Sequence, residues 1–238
     1  MDALLDFARG PLFVATFLFM VFGLGRHIVL RTRDLVRVLK RTPKRDVPWK
    51  DFASTSAGWV VPVKHLISAV PILSIASVLF HAGLVLVPVF LAAHVYLWSA
   101  SIGLGLPALP AGLADVLTLL TIGCGAMLLL VRVIRKAARD LSRFQDYTLL
   151  LLVLLPFISG WFAVHPESSP LAYKTMMLLH VLSAELVFVL MPTTKLAHVV
   201  LFPFDRLSGD IFWRLVPGAG DRVAETLRGT TQGAEVKA

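Results

Sequence analysis

Two apolar stretches decide the fold: FHAGLVLVPVFLAAH, residues 80–94, and HVLSAELVFVLMPTTKLAH, residues 180–198. The first carries His81 and His94, and the second begins and ends on His180 and His198. A neutral imidazole can ligate haem iron, whereas an isolated histidine in lipid has little to gain. In ideal helices the members of the two pairs lie ~19.5 Å and ~27 Å apart along the axis. The stretches therefore predict two membrane helices that each offer one haem ligand near each face of the bilayer.

The pairing of these histidines depends on the direction of the two helices. If the helices run antiparallel, His94 meets His180 at one level of the bilayer and His81 meets His198 at the other. In ideal geometry of about 100° per residue, His94 turns away from the face of His81, whereas His198 returns to the face of His180. A proline lies between the members of each pair and can kink the helix. We therefore predict two bis-histidine haems, with a helix distortion required for His94.

Composition indicates the solvent around the chain. Of 238 residues, 57% are hydrophobic and 16% charged, and the mean hydropathy is +0.78, whereas soluble domains are nearer 45–50% apolar. Several apolar runs reach about the 20 residues that a bilayer core requires. We predict an all-α integral membrane protein, a bundle of five transmembrane helices over residues 1–205 with a tail over 206–238. The predicted spans are residues 11–30, 72–98, 112–134, 147–165 and 173–203.

The placement of basic residues predicts the orientation. Residues 31–51 hold eight basic and three acidic side chains, and residues 132–143 hold five more basic ones. Residues 99–115 have no Lys or Arg, and residues 163–175 have only Lys174. Because short basic loops stay in the cytoplasm, we predict an N-terminus outside and a C-terminus in the cytoplasm. The net charge of +8 is thus explained by topology and anionic lipid rather than by nucleic-acid binding.

The cysteine content narrows the cofactor chemistry. Cys124 is the only cysteine, and the covalent haem motif Cys-x-x-Cys-His is absent from the sequence. One thiol cannot form a disulfide within the chain or hold an iron–sulfur cluster by itself. Any haem is therefore predicted to be noncovalent b-type, and any iron–sulfur centre to belong to a partner.

These residues carry a resemblance to a known family. FHAGL at residues 80–84 with His94 after it, DY at residues 146–147 followed by a leucine run and Gly160, and FPF at residues 202–204 beyond His198 look like the respiratory nitrate reductase gamma-subunit family. That family includes the similar haem b subunits of sulfite-reduction-associated and heterodisulfide-reductase-like membrane complexes. The resemblance covers roughly residues 11–205.

The resemblance implies a function. It implies a quinol-oxidising anchor in a bacterial or archaeal cytoplasmic membrane, with two b haems that pass electrons to a cytoplasmic iron–sulfur subunit. By matching positions, His81 and His198 would ligate the cytoplasmic-side haem, and His94 and His180 the outer-side haem. The nitrate reductase members place the second-helix histidines closer together than the 13 residues found here. This difference favours a complex other than a nitrate reductase, and the residues are equally compatible with reverse electron flow.

Three charged residues complete the predicted site. Glu185 lies deep in the fifth span, where a carboxylate is costly unless it pairs, protonates or borders water. It is a candidate quinol proton acceptor, and a satisfied structural carboxylate is an equal alternative. Arg26 and Lys195 are candidate contacts of haem propionates, although either could instead snorkel to the interface.

Two other classes of function stay open. A haem-free membrane anchor would need no paired histidines. A transporter subunit would be expected to show internal repeats or discontinuous helices around a polar site, and the sequence has no convincing repeat. His27, His65 and His165 lie near the ends of spans, where interfacial histidines are common. His27 is expected to contact a haem propionate or lipid rather than to ligate iron, and His65 and His165 are not expected to be haem ligands.

Overall fold

Helices form nearly all of the chain that the computed structural model describes, which is residues 1–41, 50, 71–205, 224–226 and 228. No β-strand occurs within those residues. The predicted tail over 206–238 lies outside the described residues apart from 224–226 and 228, and His65 lies outside them as well.

The described residues form a series of helices and helical turns. In chain order they are α1 (Asp2–Phe7), a π-helical turn (Ala8–Leu12), α2 (Phe13–Arg41), α3 (Pro71–Phe90), α4 (Ala92–Ile102), α5 (Ala111–Ile134), α6 (Lys136–Leu141), α7 (Phe144–Val164), a 3-10 turn (Pro166–Ser168), α8 (Tyr173–Thr193), a second 3-10 turn (Lys195–Ala197) and a helical segment over 198–205.

Five of the described helices are long and apolar enough to cross a bilayer: Asp2–Lys40, Pro71–Phe90, Ala111–Ile134, Phe144–Val164 and Tyr173–Thr193. Many large apolar side chains along them are exposed, including Phe22 and Ile72 at 72% each. Such surfaces are unusual in a soluble monomer but are what lipid requires. The prediction of an all-α, multi-pass membrane protein with five spans is confirmed.

The sequence predicts one helix over residues 72–98 for the second span, and the structure differs from this prediction. It is two helices, α3 and α4, joined at Leu91, whose backbone is extended with ψ 134°. Pro88 lies two residues before the end of α3 and has no N–H to continue the ladder of hydrogen bonds. The carbonyl group of Phe90 accepts a 2.8 Å hydrogen bond from the backbone N–H of Leu109. The break therefore leaves this carbonyl group satisfied.

The fifth span also ends earlier than the predicted residue 203. Helix α8 ends at Thr193, and Thr194 is extended, with φ −131° and ψ −171°. The Thr194 hydroxyl oxygen accepts from the backbone N–H of Leu196 at 3.3 Å and so caps the 3-10 turn that follows. The prediction of an ideal continuous helix from His180 to His198, with an axial spacing of ~27 Å, is therefore wrong.

The first span is longer than the predicted 11–30, because the helical backbone runs from Asp2 to Arg41. The turn Ala8–Leu12 within it is π-helical and contains Pro11. A proline inside a helix removes one backbone donor, and a wider turn is one way to accommodate it.

The chain forms two compact units. The first unit comprises Met1–Met20 with Val63–Leu190, and the second comprises Val21–Pro62 with Met191–Ala238. In the second unit, His27 Nε2 lies 2.8 Å from the carbonyl oxygen of Pro192. A Cβ atom at Gly23 would lie 2.5 Å from Pro192 Cβ, so the glycine permits this close packing.

Small residues set the helix spacing in the first unit. A Cβ atom at Gly83 would overlap the hydroxyl oxygen of Thr121, which is fully buried. A Cβ atom at Gly125 would lie 2.6 Å from Leu154 Cδ2 and 2.9 Å from Phe80 Cε2. Helices α3, α5 and α7 therefore pack closely through glycine, as membrane helices commonly do.

Replacing Gly125 with valine should destabilise the first unit by about 1–3 kcal/mol, the usual range for overpacking. We expect a lower thermal unfolding midpoint in detergent, followed by circular dichroism. Gly123→Val is the matched control, because Gly123 lies on the same helix and a Cβ atom there meets nothing within 4 Å. Equal midpoints for the two variants would contradict the packing described above.

Candidate functional site

His94 and His180 face each other in the first unit. Their imidazole rings are parallel, with an interplanar angle of 1°, and the ring centroids are 6.0 Å apart. His94 lies near the start of α4, and His180 lies two turns into α8. The structure therefore brings together the pair that the sequence predicts for the outer level of the bilayer.

Backbone carbonyl groups hold the Nδ1 atoms of both rings. His180 Nδ1 lies 2.8 Å from the carbonyl oxygen of Pro156, and His94 Nδ1 lies 3.4 Å from that of Val87. Because a carbonyl oxygen only accepts, each Nδ1 must carry the proton and donate it. The neutral rings then present the Nε2 lone pair, which is the ligating atom. Metal-bound histidines are typically fixed by this kind of bond.

The ring separation suits two ligands on opposite sides of one metal ion. Two such imidazoles with metal–nitrogen bonds of about 2.0 Å have ring centroids about 6.3 Å apart, close to the 6.0 Å observed. No cluster of three or more His, Cys, Asp or Glu side chains in the described ranges could hold a metal ion. Two protein ligands alone suit a metal whose other positions a macrocycle fills, and the residues present therefore fit a haem.

Gly160 makes room for the ring of His180. A Cβ atom at Gly160 would lie 2.9 Å from Cε1 and 3.0 Å from Nδ1 of His180. Gly160 follows Pro156 by one helical turn of α7, so the carbonyl group that accepts from His180 and the glycine lie on the same face. This face of α7, with the Pro156 carbonyl group and Gly160, forms the surface against which the imidazole packs, here called the seat of His180.

The break at Leu91 brings His94 to this position. In a continuous helix, His94 would turn away from the face of His81. The extended residue before α4 redirects the chain, and His94 then reaches back to the carbonyl group of Val87 in the last turn of α3. The distortion that the sequence requires is therefore present as a complete interruption of the helix.

An aromatic cluster connects the first span with α4 and α8, the helices that carry His94 and His180. Trp98 lies one turn after His94, and Phe188 lies two turns after His180. The rings of Phe13 and Phe17 in α2 pack against both, with centroids 5.6–6.2 Å apart. Aromatic rings at these separations attract each other. The cluster therefore holds α2, α4 and α8 together beside the histidine pair.

Glu185 lies five residues after His180 and is 3% exposed. Neither carboxyl oxygen has a hydrogen-bond partner among the described residues. An ionised carboxylate is costly in such surroundings. The alternative role of Glu185, a structural carboxylate with hydrogen-bond partners, is therefore not supported by any partner among the described residues. The role of proton acceptor stays a prediction.

His81 and His198 make the same kind of backbone contact as His94 and His180. His81 Nδ1 lies 2.7 Å from the carbonyl oxygen of Ser77, and His198 Nδ1 lies 2.8 Å from that of Lys195. Both histidines are exposed in the chain itself. His81 belongs to the first unit and His198 to the second, so their pairing stays a prediction.

The predicted propionate contacts, Arg26 and Lys195, are exposed residues of the second unit, and their roles stay predictions. Two other histidines, His27 and His165, have protein partners. His27 contacts the Pro192 carbonyl group. His165 stacks on Trp161 with centroids 4.0 Å apart, and its Nε2 lies 3.6 Å from Asp115 Oδ2.

Sequence reasoning missed the surroundings of His180. Pro156 and Gly160 were detectable as a proline and a glycine four residues apart in an apolar helix. Arg9 was detectable as a cation near the start of the first apolar run, and it lies close enough to His180 to interact with it electrostatically. None of these signals by itself identifies the histidine that it serves.

The fold and site define a multi-pass, all-α membrane protein with a pair of histidines facing each other between helices. A protein of Nitratidesulfovibrio vulgaris strain Hildenborough, described simply as "Protein", is 34% identical over 205 residues, which cover 84% of this chain and 89% of that protein. The chain belongs to the same family as that protein. No family model matches the chain, and no solved structure matches it.

Replacing Gly160 with alanine tests whether the position of the His180 ring supports the predicted haem binding. The new methyl group would lie 2.9 Å from His180 Cε1, so the ring or α7 must move. We expect a loss of about 10-fold or more in affinity for added haem, as for other residues that orient metal ligands, measured by titration of the Soret absorbance. Gly112→Ala is the control, because a Cβ atom there meets nothing within 4 Å. Equal affinities in the two variants would contradict the seat described for His180.

Proposed function

We propose that the chain is the di-haem cytochrome b subunit of a respiratory membrane complex. It exchanges electrons between the membrane quinone pool and a cytoplasmic iron–sulfur partner, in the direction of quinol oxidation. The observation that carries the proposal is the parallel pair His94 and His180, with ring centroids 6.0 Å apart and both Nδ1 atoms at backbone carbonyl groups.

In this proposal, the chain supplies the axial ligands of two b haems. His94 and His180 hold the outer haem, and His81 and His198 hold the haem on the cytoplasmic side. When bound, each haem supplies one-electron redox chemistry, while the protein sets ligand orientation and surroundings. The backbone carbonyl groups at the Nδ1 atoms keep the imidazoles neutral and oriented for binding.

The charge distribution supports the proposed orientation in a bacterial or archaeal cytoplasmic membrane. The connector between α5 and α7 is basic, and arginines at this level donate hydrogen bonds to backbone carbonyl groups near helix ends. Arg132 donates to the carbonyl oxygen of Asp146 at 2.7 Å, and Arg139 donates to that of Val133 at 2.8 Å. Beyond the other end of α7, Lys174 at the start of α8 forms an ion pair of 2.6 Å with Asp2 of α1. Basic connectors favour the cytoplasm, where we place the C-terminus and the iron–sulfur partner.

Glu185 is the proposed acceptor of a quinol proton. Its carboxyl group is buried and has no hydrogen-bond partner among the residues the structure describes. A quinol hydroxyl group that reaches this carboxylate would donate a hydrogen bond to it. The described residues supply no such donor. Glu185 lies on the same helix as His180, which places the proton acceptor and a haem ligand on one rigid element.

The break at Leu91 is the observation that favours a transporter subunit as the alternative, because discontinuous helices line many transport sites. The hydrogen bonds at this break serve His94 and the Phe90 carbonyl group. Neither a transporter nor a haem-free anchor requires two imidazoles in the Nδ1-protonated form facing each other. A cofactor measurement therefore separates the proposals.

The pyridine haemochrome spectrum of the purified chain tests the proposed function. We expect about two b haems per chain, because each histidine pair binds one. His94→Leu or His180→Leu should reduce the content to about one, since either change removes an axial ligand of the same haem. His165→Gln is the matched control, as His165 already has protein partners, and it should retain both haems. A folded wild-type chain without haem would refute the proposal and favour the haem-free anchor or transporter.

Glu185→Gln should slow haem reduction by a quinol on the order of 10-fold or more, because it removes the proton acceptor but keeps the side-chain shape. Stopped-flow absorbance would follow reduction by a short-chain quinol, and dithionite would show that both haems remain reducible. Glu185→Asp keeps the carboxyl group and should recover part of the rate. A wild-type rate for Glu185→Gln would exclude Glu185 as the acceptor and leave the di-haem proposal intact.

A further inference from the structure

Arg9 is a positively charged residue to which the proposed function assigns no role. It lies in the first of the five described helices that are long and apolar enough to cross a bilayer. Its side chain is exposed and makes no hydrogen bond or ion pair with the described residues. A charged side chain in a membrane span generally has a partner. An anion from outside the described residues would supply such a partner for Arg9.

Two contacts place Arg9 at the level of His180. Asp2 forms an ion pair with Lys174 at 2.6 Å, and the ring of Phe13 packs against that of Phe188 with centroids 6.0 Å apart. The two contacts bracket both residues, because Arg9 lies between Asp2 and Phe13, and His180 lies between Lys174 and Phe188.

Arg9 also lies within range of an electrostatic interaction with His180. The two residues are therefore near each other in the first unit, as well as at the same level along the helices.

The backbone at Arg9 is specialised. Arg9 belongs to the π-helical turn Ala8–Leu12, which also contains Gly10 and Pro11. Single π-helical turns are rare and occur frequently at functional sites. Ala8 is completely buried, whereas Arg9 beside it is exposed. The turn therefore packs one residue tightly into the unit and projects the next one out of it.

We propose that Arg9 binds a propionate carboxylate of the haem held by His94 and His180. Haem carries two carboxylates on the edge of its macrocycle, whereas a quinol carries none, and a guanidinium group binds carboxylates through paired hydrogen bonds. The inference rests on the proposed function. Arg26 and Lys195, the candidates from the sequence, belong to the second unit with His198 and are the corresponding candidates for the other haem.

A redox titration of Arg9→Gln, monitored by optical and paramagnetic resonance spectra, tests this inference. Loss of a positive charge beside the iron favours the ferric state, so we expect a lower midpoint potential for one haem. The other potential and the content of two haems should stay unchanged. Arg9→Lys keeps the charge and should recover most of the shift. Arg33→Gln is the matched control, because Arg33 is an exposed cation of the same continuous helix, and it should shift neither potential.

Reconstitution with haem dimethyl ester, in which both propionates are blocked, tests the contact itself. The difference in potential between the wild-type chain and Arg9→Gln should then disappear. A difference that persists with the ester, or that changes with the anionic lipid content, would overturn the contact in favour of a general field effect or a lipid phosphate partner. Two haems with unchanged potentials in Arg9→Gln would refute the inference alone, whereas a wild-type chain without haem would refute the proposed function.

Discussion

The candidate site depends on one hydrogen bond, from Nδ1 of His180 to the carbonyl oxygen of Pro156. This bond selects the tautomer of the imidazole and fixes the ring against α7, where Gly160 leaves space for it. A bilayer offers no water that could replace the carbonyl group, so a polar contact of this kind is retained between helices. In the proposed function, the direction of the His180 ring determines where His94 must lie to share a haem with it.

The interruption of the second span satisfies that requirement. A regular helix could not direct His81 and His94 toward the same set of helices, because the 13 residues between them do not complete whole turns. Pro88 and the extended Leu91 separate α3 from α4, and Leu109 supplies a donor for the carbonyl group of Phe90. Irregular backbone within a membrane is tolerated where protein groups satisfy it, which explains why the break can coincide with a binding site.

Two charged residues of the first unit, Glu185 and Arg9, lack a charged or hydrogen-bonding partner among the described residues. Glu185 is buried without a partner among the described residues, and Arg9 lies in the first span without a counter-ion among them. Both residues are costly for a membrane protein that has only structural roles to fill. In the proposed di-haem subunit, a quinol hydroxyl group and a haem propionate supply the two missing partners. The same proposal therefore accounts for the imidazoles, the acid and the cation.

The sequence by itself determined the number of spans, their all-helical character and the histidines that face each other, because hydropathy and imidazole chemistry are local properties. Only the tertiary structure decided where the helices break, how Gly160 and Pro156 seat His180, and that Arg9 lies at the level of that ring. The two contacts that place Arg9 join residues more than 170 positions apart. Such a juxtaposition depends on how side chains of different helices pack, and no periodicity within one helix encodes it.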